Sequence, residues 1–126
     1  MRDEIFEAII DEALDGLPKE FAERLDNVSI VLSDWPTNED LSVLRSRGEG
    51  GMLLGLYHGI PQTRRRNYGV GGTMPDKITI FKNPLLMVSR TKGELIKNIK
   101  DTVIHEIAHH FGMSDDEIKT AKKSVR

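Results

Sequence analysis

Residues 105–115 read HEIAHHFGMSD, and no other stretch of the chain is as informative. On an α-helix, residues four positions apart share one face, so His105 and His109 can offer ring nitrogens to a single Zn²⁺. Glu106 lies about 100° further round the helix, where its carboxylate can address a water molecule held by that metal. The spacing therefore predicts a zinc site of the hydrolytic type.

The residues after the second histidine of this pair indicate a third ligand. Gly112 lets the chain turn sharply out of the helix, and the turn would bring Asp115 back toward the metal. Asp116 competes with Asp115, because both follow Ser114 in the first turn of a further helix, where the helix dipole favours acids with or without a metal. With three protein ligands, a fourth position stays open for water, as in catalytic zinc sites.

The alternative reading of the motif is an ordinary surface helix that carries polar residues. At about 100° per residue, Ile96, Val103 and Ile107 centre on the side of the helix opposite the histidine pair. We therefore expect the apolar side to pack inward and His105 and His109 to line the wall of a cleft.

The extended HExxHxxGxxD pattern resembles the metzincin branch of the zincin metallopeptidases, in the variant where aspartate replaces the third histidine. The chain as a whole is similar to the minimal bacterial zincin-like metallopeptidases, short cytoplasmic proteins with this motif near the C-terminus. Two further runs carry the similarity, GLYHGIP at Gly55–Pro61 and DKITIF at Asp76–Phe81. Together with the motif they cover the second half of the chain.

This resemblance implies a zinc-dependent peptidase that acts on a peptide or protein substrate. It implies that His105, His109 and Asp115 bind Zn²⁺ and that Glu106 is the general base. The family spacing favours Asp115 over Asp116, since Asp115 stands ten residues beyond His105.

The resemblance also implies that the strand at Met52–His58 borders the cleft, runs antiparallel to its neighbour and binds extended peptide by strand addition. The residues themselves are equally consistent with an ordinary core strand.

One feature departs from the metzincin pattern. Metzincins place a methionine turn after the third ligand, whereas eleven residues follow Asp115 here and none is Met. Met113 precedes Asp115 and is read as a packing residue at the helix end. The departure keeps a second hypothesis open, a zinc-binding module without turnover that binds protein or peptide.

Four other side chains are candidates near the site. His58 at a strand end is a substrate contact, an extra ligand or a surface residue. His110 points away from the metal side of the helix, which predicts packing behind the site or exposure. Tyr57 and Tyr68 could each stabilise an oxyanion, although half-buried tyrosines mostly belong to a core or its rim.

Composition limits the other possibilities. The 126 residues are 38% hydrophobic, which predicts one domain spanning residues 1–126 with a single core. The formal net charge of −2 gives no general attraction to nucleic acid or membrane. The chain has no Cys, so a metal must be held by His and carboxylate groups. No run of apolar residues is long enough to span a bilayer, and we expect a soluble, cytoplasmic protein.

Besides the zinc-binding module, two further rival classes remain. Arg64–Arg66 could grip phosphate, which would suit a zinc-dependent ribonuclease. An arginine triplet in a glycine-rich loop is usually a solvated charge run, and no aromatic platform accompanies it, so nucleic acid is not the expected partner. The third class is a metal-free interaction domain.

Apolar periodicity and turn residues predict an α+β fold, a small three-stranded sheet covered by helices, in which the HExxH motif lies on the active-site helix of a pared-down zincin. The predicted elements in chain order are helices Arg2–Leu14 and Pro18–Leu25, strand Val28–Ser33, a polar connection Thr37–Gly51 with one helical turn near Asp40–Leu44, strand Met52–His58, an exposed loop Gln62–Pro75, strand Lys77–Phe81, the motif helix Thr91–Phe111 and a final helix from Asp115 to about Lys123.

Overall fold

A computed structural model describes residues 1–59 and 76–123. The exposed loop predicted at 62–75, with Arg64–Arg66 and Tyr68, lies outside the described residues. The elements in the described ranges are α1 Asp3–Asp15, α2 Lys19–Arg24, β1 Val28–Ser33, α3 Asn38–Ser46, β2 Gly55–His58, β3 Asp76–Phe81, α4 Lys82–Val88, α5 Lys92–His110 and α6 Asp115–Lys123.

The three strands form one mixed sheet in the order β1-β3-β2. The central strand β3 runs parallel to β1, with Ile30 opposite Ile78, and antiparallel to β2, with Tyr57 opposite Ile78. The predicted α+β class, a small sheet covered by helices, is confirmed. β2 is an antiparallel edge strand, because no strand in residues 1–59 or 76–123 pairs with its second edge.

Side chains alternate between the two faces of the sheet, and each face has its own apolar cluster. Tyr57, Ile78 and Ile80 join the main core, to which α1 and α5 contribute most of the remaining side chains. Leu56 and Phe81 point to the opposite face and pack against Leu44 of α3. These two clusters hold α5 and α3 on opposite faces of β2 and β3. Each large apolar side chain buried in them stabilises the fold by about 1.5–3 kcal/mol.

The motif helix α5 begins and ends where its capping residues predict. Thr91 Oγ1 accepts a hydrogen bond of 3.0 Å from the backbone N–H of Glu94, and the Glu94 carboxylate accepts one of 2.9 Å from the N–H of Arg90. At the other end Gly112 has φ +63°, the left-handed conformation that glycine adopts without strain. The N–H of Met113 then donates to the carbonyl of Ala108, which closes the turn.

Helix α3 is longer than the single turn predicted near 40–44. Thr37 Oγ1 accepts from the N–H of Asp40, and the Asp40 carboxylate accepts from the N–H of Thr37, which makes a complete capping box. This reciprocal pair starts a helix of nine residues. The prediction was wrong because Asp at the third position was not read as the partner of Thr37.

Helix α4 was not predicted, since Asn83-Pro84 was interpreted only as the end of a strand. Pro84 is the third residue of α4, within the first turn, where a backbone N–H has no partner inside the helix. The helix also explains why β2 begins at Gly55 rather than Met52. Gly55 pairs with Ile80, so residues before Leu54 have no strand to pair with once α4 begins at Lys82.

No helix in the two described ranges is both long and apolar enough to cross a membrane.

The close approach of β2 to α5 depends on Gly55. A Cβ atom at this position would lie 2.6 Å from Thr102 Cγ2 and 3.1 Å from the carbonyl oxygen of Thr79. We predict that Gly55→Ala lowers the free energy of unfolding by about 1–3 kcal/mol, because overpacking forces the strand off the helix. Urea denaturation measures this, and Thr102→Ser in the same chain should restore part of the loss.

Gly50→Ala is the matched control, because nothing lies within 4 Å of a Cβ atom placed there. Equal stability of Gly55→Ala and Gly50→Ala would show that β2 and α5 are not packed as closely as described.

Candidate metal centre and active site

His105 and His109 lie together on the solvent side of α5. Their rings are stacked with centroids 6.2 Å apart at an interplanar angle of 20°, and the side chain of His105 is 59% exposed. Val103 and Ile107, on the opposite side of the helix, are fully buried. The predicted orientation of the histidine pair is confirmed, while its role as metal ligand stays a prediction.

Glu106, on the same helix, is buried between α5 and the edge of β2. Its side chain is 3% exposed. The backbone N–H of Tyr57 donates to Glu106 Oε1 at 2.8 Å, and Arg47 Nη1 donates to Oε2 at 3.1 Å. Two longer bonds of 3.4 Å from Arg47 reach Oε1. Glu106 is therefore a desolvated carboxylate that is paired with the guanidinium of Arg47 and accepts a hydrogen bond from one strand N–H.

Arg47 is the C-cap residue of α3 and directly precedes a tight glycine turn. Gly48 has φ +73°, and the N–H of Glu49 donates to the carbonyl of Leu44 at 3.2 Å, as in a Schellman cap. Glu49 lies close to the cation of Arg47, at 4.0 Å, and its Oε2 lies 3.6 Å from His105 Nε2. Arg47-Gly48-Glu49 thus places a cation on Glu106 and an anion beside His105.

Neither Arg47 nor Glu49 was predicted as a site residue. Gly48 was interpreted as part of a polar connection, although a glycine directly after an amphipathic helix is the usual sign of a cap.

Asp115 lies in the exposed first turn of α6. Ser114 and Glu117 cap this helix reciprocally, as predicted: Ser114 Oγ accepts from the N–H of Glu117, and the Glu117 carboxylate accepts from the N–H of Ser114. Within residues 1–59 and 76–123, no three His, Asp or Glu side chains are close enough to hold one metal ion. The structure brings His105 and His109 together but leaves both Asp115 and Asp116 outside the pair.

A cavity of about 280 Å³ opens beside the motif helix. His105 and Glu106 line one side of it, while Leu44, Met52 and Leu53 form an apolar side. The reactive groups of the motif therefore adjoin a space of roughly the size of one side chain or a small ligand.

Residues 25–124 match the zincin-like metallopeptidase family model. The chain belongs to this family. The resemblance drawn from the HExxH motif is thereby confirmed over most of the chain, including β1 and α3 in its first half. Comparison with curated proteins gave no match.

His110 turns away from the ligand side of this zincin-like helix, as predicted. Its ring stacks on Tyr57 with centroids 4.0 Å apart, and the Tyr57 hydroxyl donates to Asp76 Oδ2 at 2.7 Å. A Cβ atom on Gly59 would clash with the His110 ring, which would have to shift to admit any other residue there. Tyr57 is buried and bonded to Asp76, which makes it a packing residue rather than a donor to the cleft. Met113 packs against the main core, also as predicted.

His58 ends β2 and is 38% exposed, with Nε2 4.0 Å from Asp40 Oδ1. Burial lowers the pKa of His58 below the usual 6.5, and the charge of Lys77 lowers it further, while Asp40 and Glu106 act in the opposite direction. The folded protein therefore disfavours protonated His58.

We predict that Arg47→Met lowers the free energy of unfolding by about 3–5 kcal/mol, because it leaves the Glu106 carboxylate buried without its cation. Chemical denaturation measures this loss, and Glu106→Gln in the same chain should recover part of it. The control is Arg45→Met on the same helix, an exposed residue whose loss should cost about 0.5 kcal/mol or less. If both variants lost the same stability, the Arg47–Glu106 pair would not be a buried ion pair.

A second prediction concerns pH. Since the pKa of His58 is lower in the folded chain than in the unfolded one, its contribution to stability is present above pH 6.5 and is lost as the pH falls. Between pH 8 and pH 5 the wild type should lose more stability than His58→Gln, which lacks this titration. Denaturation curves at both pH values give the difference, and a larger loss in the variant would contradict the burial of His58.

Proposed function

We propose that this protein is a zinc-dependent peptidase that cleaves peptide bonds in a peptide or protein substrate. The observation that carries the proposal is the exposed, stacked pair His105 and His109 on the same helix as the buried carboxylate of Glu106. Membership of the zincin-like metallopeptidase family supports it over the ribonuclease and metal-free hypotheses.

The donor groups at this site fit zinc. Imidazole nitrogens and carboxylate oxygens are ligands of catalytic zinc, and the chain has no Cys to offer a thiolate. His105 and His109 are exposed, so a metal ion can reach them. Asp115 is the third ligand that the family spacing favours. Two imidazoles and a carboxylate also suit Fe²⁺, but the helical HExxH spacing favours zinc.

When bound, zinc lowers the pKa of a coordinated water toward neutrality and polarises the scissile carbonyl. In that chemistry Glu106 would accept a proton from the attacking water and deliver it to the leaving amide nitrogen. A carboxylate oxygen has two lone pairs, and among the described residues a single hydrogen bond reaches Oε2, that from Arg47 Nη1. Oε2 therefore keeps a lone pair that can take the proton, while Oε1 accepts from Tyr57 and accepts the two longer bonds from Arg47.

The edge strand β2 and the neighbouring cavity would position the substrate. An extended peptide can add to a sheet edge through its main chain, and alternate side chains then enter pockets. The N–H of Tyr57 donates to Glu106 rather than to β3, so it lies on the edge of β2 with which no described strand pairs. A peptide on that edge would thus lie against the carboxylate that acts as base.

A second candidate function is zinc-dependent binding of protein or peptide without turnover. The ion pair of Glu106 with Arg47 favours it, because hydrogen bonds from the guanidinium occupy carboxylate lone pairs that a general base needs. The lack of a methionine after Asp115 also favours it.

We expect purified protein to bind about one equivalent of zinc, and His105→Ala or His109→Ala to remove most of it, because each removes one ligand. Elemental analysis measures the content, and His58→Gln is the control that should keep its zinc. Full zinc content in both α5 variants would contradict the site.

The same samples test catalysis. Glu106→Gln should keep its zinc and lose peptide cleavage by at least a hundredfold, because the amide cannot accept the proton. Cleavage of a peptide library by wild type but not by Glu106→Gln supports a peptidase. Zinc binding with no cleavage by either protein supports the binding module instead.

A further inference from the structure

The glycine turn after α3 sets the carboxylate of Glu49 against the first histidine of the motif. Gly48, in the left-handed conformation, reverses the chain so that Glu49 faces α5. Glu49 Oε2 and His105 Nε2 are 3.6 Å apart. The HExxHxxGxxD pattern does not include Glu49, which lies 56 residues before His105 in the sequence.

The separation of these two atoms suits a shared metal ion. Zinc binds imidazole nitrogen at about 2.0–2.1 Å and carboxylate oxygen at about 2.0–2.2 Å, so two such ligands at a tetrahedral angle are about 3.4 Å apart. The observed 3.6 Å is longer than a normal hydrogen bond and close to this ligand separation.

Both side chains are accessible to an ion from solvent. The side chain of His105 is 59% exposed and that of Glu49 is 34% exposed. The cation of Arg47 lies 4.0 Å from Glu49 Oε1, which leaves Oε2 directed at His105.

We propose that Glu49 is a further metal ligand, which binds zinc together with His105 and His109. The proposal rests on the proposed function only in that the two histidines bind zinc. His109 stacks beside His105 on the exposed side of α5. Among the described residues these three groups are not gathered around one point, so the side chains would have to change rotamer to bind one ion. Zinc in catalytic sites can expand to five ligands, which leaves room for Asp115 and water.

The competing explanation is a simple ion pair between Glu49 and protonated His105, which would add little to metal affinity. The test compares zinc dissociation constants of metal-stripped wild type, Glu49→Gln and Glu39→Gln, measured by competition with a chelator. Glu39 lies in the first turn of α3 and loses the same charge. We expect at least tenfold weaker zinc binding by Glu49→Gln and a change of less than twofold in Glu39→Gln.

A spectroscopic measurement separates direct binding from a distant charge effect. Co²⁺ substituted at the site should show different visible absorption in wild type and Glu49→Gln, because the ligand set changes, and the same absorption in Glu39→Gln. Unchanged zinc affinity or an unchanged Co²⁺ spectrum in Glu49→Gln would overturn the assignment of Glu49.

The histidine variants distinguish a wrong assignment of Glu49 from failure of the proposed function. If His105→Ala and His109→Ala lose zinc while Glu49→Gln keeps wild-type affinity, only the assignment of Glu49 fails. If the histidine variants keep zinc, or the wild type binds none, both proposals fail.

Discussion

The carboxylate of Glu106 is taken out of water between a helix and a sheet edge, and much of the site depends on how its charge is balanced. A buried, ionised carboxylate is costly unless hydrogen bonds and an opposite charge compensate for lost hydration. Here the compensation comes from two separate elements, the N–H of Tyr57 on β2 and the guanidinium of Arg47 at the end of α3. The position of α5 is thereby tied to both.

This constraint divides the motif helix into two functional sides. Glu106 faces inward and is held by neighbours, whereas His105 and His109 face solvent and are free to reach a metal ion. The same side of α5 meets the turn after α3, so the segment that compensates Glu106 also brings Glu49 to His105. The residues on either side of Gly48 therefore place opposite charges against two neighbouring residues of the motif, Arg47 against Glu106 and Glu49 against His105.

The parts of this arrangement that local rules govern could be predicted from the sequence. The ends of α5 follow from Thr91 and Gly112, and the start of α6 follows from the Ser114–Glu117 pair. The inward and outward sides of α5 follow from helical periodicity. The family assignment rested on the same motif and is shown by the match to residues 25–124.

The charge partner of Glu106, the length of β2 and the third ligand depend on contacts between residues far apart in the sequence, which leave no local pattern. Arg47 and Glu106 are 59 residues apart, and neither periodicity nor capping indicates that they meet. β2 is shorter than predicted because its partner strand β3 ends at Phe81, where α4 begins, so residues before Leu54 have no strand to pair with. Asp115 was chosen by spacing alone, and spacing does not say whether α6 approaches the histidines.

The most direct test of the site is a crystal structure of the zinc-loaded protein with anomalous data collected at the zinc absorption edge. We expect one strong anomalous peak within about 2.0–2.1 Å of a ring nitrogen of both His105 and His109, with the Glu106 carboxylate beneath it and still bonded to Arg47. A peak at any other residues, or none on α5, would contradict the assignment of this helix as the metal-binding element.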